Sequence, residues 1–81
     1  MSMVTMYRVP GLKWKIAVYG GEGKHGLPHY HLEGPGFRCS VNIMNGDVII
    51  GDAPKAIRAQ AWIWAQANQE LLLRKYEDLN P

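Results

Sequence analysis

Cysteine is nearly absent from this 81-residue chain. Cys39 stands alone, which excludes an internal disulfide framework and any zinc pattern built on cysteines, and makes a reducing compartment the default. Long apolar runs are missing too. None approaches the eighteen or so residues of a membrane span and no early stretch reads as a signal peptide, so the expectation is a soluble, cytoplasmic protein without a membrane partner. Repeats, linkers and low-complexity tracts are lacking, and a chain this short cannot build two cores, so residues 1–81 read as one small domain. Charge of either sign is sparse, nine Lys and Arg against seven Asp and Glu. The resulting +2 and a pI near 8.9 suit an anionic partner, but without a dense basic run they do not single out nucleic acid. The glycines of "GGEGKHG" have the wrong spacing for a phosphate-binding loop, and no Ser or Thr follows Lys24.

Glycine and proline punctuate the first two thirds of the chain and almost vanish from the last, so a strand-rich half precedes a helical one. "KWKIAVY", 13–19, alternates polar and apolar residues as a half-buried strand does, with Trp14, Ile16 and Val18 inward, and a shorter strand is expected around Met6 to Val9. Asn45-Gly46 predicts a two-residue type I′ hairpin that sets Ile43 opposite Val48 and Val41 opposite Ile50, all four on the core face with Phe37 and Cys39. In the helical part, Ile57, Ala61, Trp64 and Ala65 form one stripe, with Asp52 as the expected N-cap. An unbroken helix would place Asn68 and Lys75 in that stripe. A break near Asn68 is therefore predicted, with Asn68 capping a second segment that turns Leu71, Leu72, Tyr76 and Leu79 inward. Trp62, Ile63 and Leu73 fall off the stripe and form a candidate surface for a small protein partner or a second copy. The fold class that results is α+β: an antiparallel meander of three to five strands, one face covered by the C-terminal helix and the other open.

All three histidines fall within "HGLPHYH". Alternation along a strand puts His29, His31 and Glu33 on one face and Tyr30 and Leu32 on the other, and the apolar pair takes the core. A two-residue Pro35-Gly36 loop keeps this parity and pairs Glu33 with Arg38. The open face then presents Lys13, Lys15, His29, His31, Glu33, Arg38, Ser40 and Asn42, a polar and net basic platform with His25 in the loop before it. Three readings of the histidines stand side by side. As a metal site, His29 and His31 offer two nitrogens from one side of a strand, with His25 and Glu33 as further ligands to a divalent ion such as zinc; no cofactor is required by the other readings. As a catalytic site, His25, His29 and His31 supply a general base and a general acid for phosphodiester cleavage, with Lys15 or Arg38 stabilising the developing charge. As a binding face, they contact a partner, and RNA on Lys13, Lys15 and Arg38 is one version of it.

"HGLPHYHLE", the Gly-containing hairpin and "GDAPKAIRAQAWIWAQANQELL" resemble the bacterial family known as domain of unknown function 4160, over about Met6 to Leu79. Its motif, Asp-His-x-Pro-Pro-His-Phe-His, falls on His25, Pro28, His29 and His31. Lys24 stands where the family has Asp, Gly26 and Leu27 replace a polar residue and the first proline, and Tyr76 stands where Trp is common. The resemblance implies a partner rather than a reaction, since members look like half of a two-gene toxin-antitoxin-type module.

Overall fold

Five strands run in chain order across one antiparallel sheet, and two helices follow. The computed structural model describes residues 2–21 and 26–81. The elements are β1 (Met3–Arg8), β2 (Lys15–Tyr19), β3 (His29–Gly34), β4 (Phe37–Asn42), β5 (Val48–Asp52), α1 (Lys55–Ala67) and α2 (Gln69–Leu79). Sheet order is β1-β2-β3-β4-β5, so every strand pairs with its chain neighbours, and the expected α+β meander is the architecture found.

The parity set by the Pro35-Gly36 turn holds. Gly34 pairs with Phe37 and Glu33 with Arg38, and Gly36 takes the positive φ of 78° that the second central position of a type II turn requires. Tyr30 and Leu32 are consequently fully buried, in one core with Trp14, Ile16, Val18, Cys39, Val41 and Ile43. Ala61 and Ala65 of α1 and Leu72 and Tyr76 of α2 close that core from the helical side. The small alanines let α1 approach, while Ile57 and Trp64 pack half-buried at its margin. The break also lies at Asn68. Its backbone N–H still reaches the Trp64 and Ala65 carbonyls and its side-chain amide donates to Trp64 O at 2.9 Å, so the residue closes α1.

Four local expectations are corrected. The Asn45-Gly46 turn is not a two-residue hairpin: among the described residues only glycines have positive φ, and type I′ requires it at both central positions. The connection is wider instead, held by Gly46 N–H to Asn42 O, Met44 N–H to Asn42 Oδ1 and Asp47 N–H to Asn45 Oδ1, as Asn side chains mimic backbone turns. Val41 therefore pairs with Val48 and Ser40 with Ile50, leaving Ile49 as the extra residue of a bulge; Ile50 is 69% exposed rather than core. Asp52 does not cap α1. It belongs to β5 and accepts the Ala53 N–H at 2.8 Å, while Pro54 stands at the N-cap position with no side-chain bond. Asn68 makes no side-chain cap for α2, because its amide is engaged backwards on Trp64. Leu71 faces solvent at 47% exposure, because the change of axis at Asn68 rotates α2 until Leu72 and Tyr76 meet the sheet.

Candidate functional site

The outer face of the sheet gathers polar side chains from three adjacent strands. Lys15, Ala17 and Tyr19 share that face of β2, and the register sets Lys15 opposite Glu33 and Ala17 opposite His31. Across β3, His31 faces Ser40, Glu33 faces Arg38 and His29 faces Asn42. The ring of His31 meets that of Tyr19 edge to face, ring centroids 4.6 Å apart.

Glu33 is the hub. Tyr19 donates its hydroxyl to the carboxylate, 2.9 Å to Oε2 and 3.1 Å to Oε1; Arg38 Nε lies 2.9 Å from Oε2 and Lys15 Nζ 4.0 Å from Oε1. The Arg38 guanidinium also stands over the Tyr19 ring, 5.2 Å from its centre, a cation–π geometry, and its second nitrogen reaches His31 Nδ1 at 3.4 Å. The guanidinium can only donate, so in this contact His31 Nδ1 accepts. His29 is set the other way. Its Nδ1 stands 2.8 Å from the Leu27 carbonyl, which can only accept, so Nδ1 carries a proton and donates it there. The two imidazoles lie 5.2 Å apart, edge to face.

The face is less open than alternation alone suggests. His31, Ser40 and Asn42 are buried, His31 between Tyr19, His29 and Arg38. The pairing of β2 with β3 ends at Ala17 and His31, and at that end Tyr76 of α2 contacts His29, ring centroids 5.4 Å apart. Tyr19 and Tyr76 belong to the cluster but were not among the sequence-predicted site residues. Tyr19 was readable, because it shares parity with Lys15; Tyr76 was not, because its contact depends on where the helix crosses.

The structure brings His29, His31, Glu33, Lys15 and Arg38 together. Lys13 stands before β2, exposed, and does not contact Glu33. His25 lies outside the described residues, as does Lys24. Among the described residues no group of three His, Cys, Asp or Glu stands close enough to hold a metal ion. Of the off-stripe helical residues, Ile63 is 72% exposed, whereas Trp62 and Leu73 pack half-buried against the core. Trp62 lies so close to Gly46 that a Cβ there would come within 2.8 Å of its ring. Burial also holds the Cys39 thiol above its ordinary value, a poor setting for a nucleophile. No helix among the described residues is long and apolar enough to cross a membrane.

A sequence model of the family described as "Domain of unknown function (DUF4160)" matches residues 14–77. That span holds every strand but β1, and all of α1. No curated protein and no solved structure matches the chain.

Proposed function

The chain belongs to the family of domain of unknown function 4160, and from that premise we propose that it is a small interaction module of toxin-antitoxin type, docking a protein partner through β5. One observation carries the reading: β5 is an edge strand whose Ile49 and Ile50 are 44% and 69% exposed. Large aliphatic side chains on a free sheet edge are an association surface or a hazard. Exposed Asp47 and Asp52 flank them, so the fitting partner presents an apolar contact between basic residues. Replacing Ile49 with Ser and Ile50 with Lys abolishes co-purification with the product of the adjacent gene and leaves the circular dichroism unchanged. Undiminished association of that variant refutes the reading, and so does a wild type that binds neither that product nor a second copy.

The closeness of His29 and His31, ring centroids 5.2 Å apart, favours a second reading, His-dependent cleavage of RNA. One imidazole, neutral, takes the 2′-hydroxyl proton as the 2′-oxygen bonds to phosphorus, and the other, as the imidazolium, gives its proton to the departing 5′-oxygen. RNA degradation by the His29→Gln/His31→Gln variant at the wild-type rate removes it.

A further inference from the structure

In an antiparallel meander alternate connections lie at the same end. Here the last residues of β1, β3 and β5 meet the first residues of β2, β4 and α1, and that end carries two adjoining concavities on either side of Pro35. One, about 410 Å³, is lined by Arg8, Lys13 and Lys15 with Trp14 and Glu33; the other, about 780 Å³, by Arg38, Lys55 and Arg58 with Phe37 and Asp52. Six of the nine Lys and Arg side chains but only two of the seven carboxylates stand here. The end therefore holds an excess of four positive charges on a chain whose total is +2, and the remainder is net negative. A segregation of this kind concentrates a field that the mean composition conceals.

We propose that this basic end binds the phosphate backbone of a single-stranded nucleic acid, one concavity on each side of the Pro35 ridge taking phosphates. Glu33 already engages Lys15 and Arg38, and Asp52 adds one further carboxylate, so Arg8, Lys13, Lys55 and Arg58 supply most of the counter-charge. The first turn of α1 adds to it: no side chain caps it and no acidic residue lies in it, so its amide dipoles also favour an anion. Half-buried Phe37 offers a flat apolar surface in the larger concavity on which a base stacks. Two small concavities separated by a tight turn suit a flexible strand that bends between them, not a stiff duplex. Ile49 and Ile50 line neither concavity, and although Asp52 borders both surfaces, the proposal rests on the lysines and arginines and not on the protein-docking reading.

Fluorescence anisotropy with labelled twelve-nucleotide RNA, DNA of the same sequence, and the corresponding duplex tests it. Four engaged cations give a salt slope of roughly −3 for a single strand, so affinity falls about 50-fold between 50 and 200 mM salt. Lys13→Gln/Lys55→Gln weakens binding at least ~10-fold and reduces the slope by about 1.4. Arg74→Gln/Lys75→Gln on α2, which changes the net charge equally, leaves binding within about twofold, since phosphate contacts rather than net charge carry the affinity. Tighter binding of RNA than DNA, or the reverse, identifies the natural strand. Equal losses in the two variants, preference for the duplex, or wild-type binding that is absent or indifferent to salt overturns the proposal.

Discussion

Glu33 accepts from the Tyr19 hydroxyl and Arg38 Nε with Lys15 4.0 Å away, and the strength of that convergence is measurable. The Tyr19 hydroxyl lies within 2.9 Å of a carboxylate that is only 17% exposed. A hydrogen bond to a charged group contributes about 1.5–3 kcal/mol, and partial solvent access places this one near the lower limit. Arg38, 57% exposed, adds only the ~0.5 kcal/mol of a surface pair despite its 2.9 Å distance. Tyr19→Phe and Glu33→Gln, made singly and together, isolate the first term: glutamine keeps the shape and an acceptor oxygen but removes the charge. Each single variant is expected to lose about 1–2 kcal/mol in urea denaturation followed by tryptophan fluorescence, and the double variant about 1 kcal/mol less than their sum. In thermal melts, a loss of 1 kcal/mol lowers Tm by roughly 4–8 °C in a domain of this size. Additive losses, with a coupling below about 0.3 kcal/mol, refute the claim that the hydroxyl and the carboxylate hold this face together.

Three further outcomes follow from packing and burial. Gly46→Ala costs more than about 1 kcal/mol in denaturant unfolding, because φ there is 80° and the new Cβ meets the Trp62 ring. Leu72→Ala, which opens a cavity under α2 at a fully buried position, costs about 2–5 kcal/mol in the same assay. Burial raises the Tyr30 phenol and the Cys39 thiol above their ordinary values, so the folded chain keeps protons that the unfolded chain releases from about pH 8.5 upward. Their contribution is complete below that pH and lost above it: Tm declines into the alkaline range, and Tyr30→Phe flattens the fall above about pH 10.

Strand parity was legible because two independent signals agree on it. Tyr30 and Leu32 demand the core, and the even Pro35-Gly36 loop carries the same parity into Phe37 and Cys39. The break at Asn68 was legible from period alone, since a straight helix would have carried Lys75 into the apolar stripe. The second hairpin was not. Asn-Gly favours a tight turn locally, but the side chains of Asn42 and Asn45 each capture a backbone N–H, and the bulge at Ile49 absorbs the change of register. The shielding of His31 was hidden for another reason: Tyr19 and Arg38 flank it laterally only once the registers of three strands are known together. Trp62 lies off the helical stripe and so suggests a docking residue, yet it packs against Gly46 and the core; Trp62→Ala therefore weakens the fold as well as any association.

Gly20 has a practical corollary. Its N–H bonds the Ser2 carbonyl at 2.8 Å, and a side chain there would collide with both Ser2 and Leu79, while the Asn80 amide holds the neighbouring Tyr19 carbonyl at 3.0 Å. The start of β1 and the end of α2 thus meet at the end of the sheet away from Arg8 and Lys55. A fluorophore on a cysteine introduced at Ser2 or Asn80 therefore stands away from the cationic hollows, with the native Cys39 thiol buried and out of its reach.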